Sequence, residues 1–309
     1  MSQRAARCMT LFQKIPPRLY PWLILLVALV VRLATFTDVK LNGFDEHAYL
    51  QFAQILHQDG LDGIREVTAK YSTDKDLAAS PLPLRIGFVA LASWVCDLAG
   101  KYSVENIAWI SLCAGAGFVA VGYLLVSRVV GVTEGLLAAA LLLASPLAIT
   151  LSRRALQDGL VAFVTLSILY VFHQCWRRKR VLDPILLAVL VACALLLKEA
   201  TLFIYPSLLV AGIYYLRTKP VGDWKIIAAA LAVGPLVYLA ITSIVAGGLS
   251  TYLHVYREVQ RHAVEAALYD GFRTRGVVPL FRGFPVAVAS AVPARDHGDG
   301  RAGERRRAA

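Results

Sequence analysis

The sequence predicts an all-α, polytopic membrane protein of about seven transmembrane helices with a helical first extracytoplasmic loop, and three observations carry that expectation. The chain is 58% hydrophobic, with a mean hydropathy of +0.60. Only 17% of its residues are charged. Its apolar runs approach the length needed to cross a bilayer, and basic clusters separate them. A net charge of +11 in a soluble protein would point to nucleic acid. Here the charge sits in short clusters between apolar runs, as in cytoplasmic loops, and no nucleic-acid partner is expected.

In chain order, residues 1–19 carry Arg4, Arg7, Lys14 and Arg18 and read as a cytoplasmic amino terminus. The first apolar run, Tyr20–Phe36, has no small-x-small cleavage site after it and reads as an uncleaved first span. The further expected spans are Ile107–Val130, Glu134–Leu151, Leu160–Trp176, Ile185–Leu197, Thr201–Leu216 and Trp224–Ala246. With these seven, Arg128, the run Arg177-Arg178-Lys179-Arg180, and Arg217 with Lys219 all fall on the amino-terminal, cytoplasmic side. Leu84–Ala99 is also apolar, but it contains Arg85 and Asp97 and follows Pro81-Leu82-Pro83. It reads as a helix on or dipping into the outer face, inside one large outer region, 38–105. Residues 20–246 then form the membrane domain and 247–270 an outer polar segment. From Gly271 the apolar periodicity stops and arginine recurs without lysine, which predicts a disordered or frame-shifted tail over 271–309. The five cysteines have no CxxC spacing and lie mostly in apolar runs, so no redox or metal role is assigned to them.

This topology brings three polar groups to the outer side: Asp45-Glu46, Arg153-Arg154 with Asp158, and Lys198-Glu199. Each has an ordinary alternative. The acidic pair can open a helix, with Asp45 as cap and Glu46 in the first turn. Arg154 and Asp158 have the i,i+4 spacing of a helical ion pair. Lys198-Glu199 can be a hairpin turn whose charges reach the interface. The functional reading treats the acidic pair as a catalytic residue and a neighbour that orients it or holds a cation, with the arginine on a phosphate and Asp158 on a hydroxyl or metal. His47 abuts the pair, and no HExxH-type spacing supports a metal centre. A divalent cation is the one cofactor left open. No phosphate-binding glycine loop precedes a helix, so an activated donor would have to arrive through the lipid.

Taken in order, Asp45-Glu46-His47-Ala48-Tyr49, Ser80-Pro81-Leu82-Pro83-Leu84, Ser152-Arg153-Arg154-Ala155-Leu156-Gln157-Asp158 and Leu197-Lys198-Glu199 resemble glycosyltransferase family 39. That group includes the protein O-mannosyltransferases and lipid A aminoarabinose transferases and has a C-type membrane glycosyltransferase fold. The resemblance, over roughly residues 20–220, implies transfer of a sugar from a polyprenyl-phosphate-linked donor to a lipid, glycan or protein acceptor outside the cytoplasm, with inversion. It implies Asp45 as general base with Glu46 beside it, Asp158 as the second-loop acid, and Arg154 and Lys198 as supports for the departing phosphate. Family members commonly show a Pro-Pro pair where this chain has Pro81-Leu82-Pro83, and they carry further helices beyond the position of residue 246. The rival reading is a transporter whose path is lined by Asp45, Asp158 and Lys198, or an inactive fragment of a transferase. Paired inverted repeats would favour the transporter, and the sequence has none.

Overall fold

The computed structural model describes residues 16–36, 43–71, 80–218 and 222–269. Among them the chain is helical, with no strand. The helices are α1 (Tyr20–Ala34), α2 (Phe44–Lys70), α3 (Ile86–Ala99), α4 (Val104–Val129), α5 (Val132–Ala144), α6 (Pro146–Leu151), α7 (Asp158–Arg177), α8 (Leu182–Leu197), α9 (Tyr205–Arg217), α10 (Trp224–Val245) and α11 (Leu249–Tyr269), with 3-10 turns at Pro17–Leu19 and Glu199–Ile204. The described residues up to Gln260 form one compact unit. The expectations for the first fifteen residues and for the tail from 271 lie outside the described residues.

Four segments are long and apolar enough to cross a membrane: α4, α7, the run Glu199–Arg217 that ends in α9, and α10. Helices α1, α3, α5 and α8 are apolar but shorter. At 1.5 Å per residue they rise only about 20–24 Å, against a hydrocarbon core of about 30 Å. Length therefore supports four crossings and leaves the expected seven as a count of apolar stretches. The stretch Glu134–Leu151 runs beside α4 as two helices, from Gly135 opposite Ser127 to Ser152 opposite Gly115. Helix α5 ends at Ala144, Ser145 takes extended backbone and accepts the Ala148 N–H at 3.3 Å, and Pro146 opens α6. A proline tolerated at a first helical position cannot continue the preceding hydrogen-bond ladder, so the Ser-Pro pair divides the run.

Helix α4 is central. Its amino terminus is capped by Ser103, which accepts the Asn106 N–H at 3.3 Å, and its faces pack on α1, α5 and α7. Helix α8 lies between α7 and α10. Close approach rests on small residues: a side chain at Gly135 would meet the Ser127 backbone at 3.1 Å, and one at Gly234 the Ala188 carbonyl at 3.2 Å. Helix α9 is held more loosely and buries only Leu208.

The region between α1 and α4 contains α2 and α3. Tyr49, Phe52 and Ala53 line the buried face of α2, and Tyr49 meets Phe88 of α3 edge to face at 4.9 Å. Helix α2 bends at Gly60, whose φ of 64° suits a residue without a Cβ. Helix α3 ends at Gly100, also left-handed at φ 66°, with the Lys101 N–H closing back onto Cys96. These ends set the amino terminus of α2 and Arg85, just before α3, against one end of the bundle.

Candidate active site

Glu46 is the anchor. Gly43 is the N-cap of α2, and three residues on Glu46 turns back to accept the Gly43 N–H on Oε2 at 2.6 Å. Its Oε1 accepts from Arg154 Nε at 3.1 Å and from the Ala155 backbone N–H at 3.3 Å. The carboxylate is 1% exposed, and three donors satisfy it. Gly43 leaves room for this pair: a Cβ there would lie 2.4 Å from Arg154 Nη2 and 2.8 Å from Glu46 Oε2, so either side chain would have to shift.

The other two polar groups join the same end. Asp158 is the first residue of α7, where a carboxylate suits the helix dipole, and Lys198 Nζ donates to it at 2.7 Å from the extended turn after α8. The next residue, Glu199, takes Arg85 Nη2 at 3.1 Å and Nε at 3.4 Å. Arg85 Nη1 donates to the Tyr49 hydroxyl at 3.0 Å, which returns the circuit to α2. Ser111 of α4 donates to the Leu156 carbonyl at 2.7 Å and holds the 152–157 turn against the bundle. Burial pushes the Tyr49 phenol up to about 12, against the pull of Arg85, so this hydroxyl stays protonated at neutral pH. Burial alone would lower the Arg85 guanidinium, but Tyr49 and Glu199 outweigh it and hold it above its ordinary value.

Asp45 is placed differently. It follows Phe44 in the first turn of α2 and is exposed, and among the described residues its carboxylate has no hydrogen bond or ion pair. Its charge acts on Tyr49 and Tyr71, both neighbours of Arg85. His47 is exposed beside it, with Nδ1 3.1 Å from the Gly43 carbonyl. Among the described residues no group of three or more His, Cys, Asp or Glu converges as a metal site would.

The three sequence groups meet, although their pairing differs from the local alternatives. The i,i+4 pair of Arg154 with Asp158 does not form: residues 152–157 are turns, α7 starts only at Asp158, and each side chain bonds across the chain instead. The capping function of the acidic pair belongs to Glu46, not to Asp45. Arg85 was not among the expected site residues. Its signal is a charge directly after Ser80-Pro81-Leu82-Pro83-Leu84, at the opening of an apolar stretch.

Compared with known families, residues 86–247 match the profile described as dolichyl-phosphate-mannose-protein mannosyltransferase, over just more than half of the chain. The chain belongs to this family. It is thus a membrane glycosyltransferase of the C type, and the family implies a lipid-linked sugar donor and a membrane-associated acceptor. The mannosyltransferase-family match includes Arg154, Asp158, Lys198 and Glu199, while Asp45, Glu46 and Arg85 precede it. Searches of curated proteins and of solved structures gave no significant match.

Proposed function

We propose that the chain moves a sugar from a polyprenyl-phosphate-linked donor to a hydroxyl of a lipid, glycan or protein acceptor on the extracytoplasmic side, with inversion at the anomeric carbon. One observation carries this reading. Of the four carboxylates Asp45, Glu46, Asp158 and Glu199, only Asp45 is without a hydrogen-bonding or ionic partner among the described residues. A general base needs a free carboxylate with rigid support, and the buried, triply bonded Glu46 beside it supplies that support.

In the proposed step the acceptor hydroxyl gives its proton to Asp45 as its oxygen attacks the anomeric carbon. The bond from that carbon to the phosphate oxygen breaks, and the electron pair leaves with the polyprenyl phosphate. Arg154 and Lys198 meet the charge that collects there. Each commits one donor to a carboxylate, and the remaining N–H groups lie on side chains 40% and 30% exposed. Arg85 and Glu199 position this edge from behind. The extracytoplasmic assignment follows from Arg128 and Arg177–Arg180, which lie at the other end of α4 and α7.

The test is transfer by the full chain in vesicles supplied with a polyprenyl-phosphate sugar. Asp45→Asn keeps the shape of the side chain and removes the base, so turnover falls by roughly 10²–10⁴-fold while insertion and melting stay unchanged. Near-normal turnover would make Asp45 a surface residue of α2 and remove the reading.

A further inference from the structure

Helices α7 and α8 are joined by Arg178-Lys179-Arg180-Val181, and this basic connection lies against the start of α10. Gly222 brings the chain before α10 close to the end of α7. Its N–H donates to the Trp176 carbonyl at 3.2 Å, and a Cβ there would collide with the Cys175 carbonyl oxygen. The three helix ends are thereby fixed around one opening.

That opening is a cleft of about 540 Å³. Arg178, Lys179 and Arg180 line it directly, and Lys179 and Arg180 are exposed. Among the described residues none of the three forms an ion pair. The lining includes one carboxylate, Asp223, whose Oδ1 accepts the Lys225 N–H at 2.9 Å as the cap of α10. Asp183, in the first turn of α8, is not a lining residue, and its Oδ2 is buried without a hydrogen-bond partner. Most of the remaining wall is apolar, and its Val181, Ile185 and Ile226 are exposed.

We propose that this cleft binds the headgroup of an anionic phospholipid, with Arg178, Lys179 and Arg180 on the phosphate and Val181, Ile185 and Ile226 against the first part of its chains. Three unpaired cations facing one capped carboxylate call for an anion, and the apolar wall calls for one that carries hydrocarbon with it. The depth agrees. Helices α7 and α10 are long and apolar enough to cross a membrane, and the cleft lies where α7 ends and α10 begins. Trp224, exposed at the first position of α10, is the residue type that favours that interface. The inference goes beyond the transfer reaction, since Asp45, Arg154 and Lys198 lie at the other end of the bundle.

The experiment uses the full chain in a neutral detergent, where membrane orientation plays no part. Its readouts are melting temperature and lipid-binding mass spectrometry, with no assay of transfer. Phosphatidylglycerol should bind and raise the melting temperature, and phosphatidylcholine with the same chains should not. Arg178→Gln combined with Arg180→Gln should weaken phosphatidylglycerol binding by roughly ten- to thirtyfold, the loss of two cations that face the headgroup. Arg178→Lys with Arg180→Lys should keep most of the binding. Arg128→Gln with Arg177→Gln removes the same charge from the same end but outside the cleft, and should keep all of it. Without lipid, the Arg178–Arg180 glutamine pair should melt like the native chain, because no ion pair is lost, so weaker binding is not lost folding. Ile226→Asp lies exposed in the first turn of α10, where a carboxylate suits the helix dipole, and should weaken binding with all three cations intact. Unchanged binding in the Arg178–Arg180 glutamine pair or in Ile226→Asp would overturn the site. Equal weakening in the Arg128–Arg177 pair would reduce the effect to overall charge and overturn it too, as would equal protection by phosphatidylcholine. Equal protection by glycerophosphoglycerol, the headgroup without chains, would assign a free anion and overturn the lipid.

Discussion

The two ends of the helix bundle use the same kinds of cation under opposite conditions. At one end Arg128 and Arg177–Arg180 have no ion pair among the described residues, and Arg128, Arg177, Lys179 and Arg180 are exposed. At the other end Arg85, Arg154 and Lys198 are each paired with a carboxylate on a different segment. Helix α7 runs between them, from Asp158 to Arg177, a rise of about 30 Å. Solvated cations set orientation at small energetic cost, whereas paired and half-buried cations are costly to assemble and therefore mark where a fold holds chemistry. The single carboxylate at that end without a partner among the described residues, Asp45, is the group proposed above as general base.

This contrast is most severely tested at Glu46. Glu46→Ala removes the acceptor for Arg154 and for two backbone N–H groups in a buried setting, so a loss of about 3–5 kcal/mol of stability is expected. Transfer should fall with it. Glu46→Gln, which keeps the shape and loses the charge, should recover part of the melting temperature. A Glu46→Ala chain that melts like the native one would show that the paired end is no more demanding than the basic one.

Arg85 comes next. Arg85→Ala leaves Glu199 without its partner and the Tyr49 hydroxyl without its donor, so about 2–3 kcal/mol of stability is at stake. Tyr49→Phe removes one contact only and should cost about 1 kcal/mol. Equal effects would mean that the Arg85–Glu199 pair contributes nothing beyond the phenol.

Arg154→Ala and Lys198→Ala should act chiefly on the donor. Each removes a charge-assisted contact worth about 1.5–3 kcal/mol where it is desolvated, and less while the side chain stays half exposed. If the contact strengthens as the phosphate leaves, turnover falls along with donor affinity. With a water-soluble short-chain donor, unchanged affinity and turnover in both variants would confine these cations to their ion pairs.

The legibility of the sequence followed the range of the interactions. Apolar composition and basic clusters located the helices, because both signals are local and the bilayer constrains them strongly. The break at Ser145-Pro146 was present as a Ser-Pro pair but was overridden by the length of the apolar run. At the site, sidedness brought the three polar groups to one end, since parity of crossings is countable. Their partners were not countable. Glu46 and Arg154 are 108 residues apart, and Arg85 and Glu199 are 114 apart. Periodicity offered only neighbours, so it suggested Arg154 with Asp158. That pairing needs one continuous helix, and the turns over 152–157 interrupt it.

The smallest energetic effect is expected at the basic end, where it also sharpens the comparison. Replacing Arg178, Lys179 and Arg180 together by glutamine removes cations with no ion-pair partner, so stability should change by no more than about 0.5 kcal/mol per site. Transfer in correctly inserted protein should be unchanged, and the effect should appear in orientation, because in the proposed topology these residues are the charge that holds this loop inside. Two single cysteines, in a chain otherwise free of cysteine, read that orientation directly. Asp62→Cys lies on an exposed part of α2 and should react with an impermeant thiol reagent in intact cells, whereas Lys179→Cys should react only after the membrane is opened. With Arg178 and Arg180 replaced by glutamine on either side of it, part of the Lys179→Cys population should become reachable, with a matching loss at Asp62→Cys. Reaction at position 179 and protection at 62 in the native background would reverse the two ends. The paired cations would then face the cytoplasm, where a donor carried to the outer leaflet could not reach Asp45.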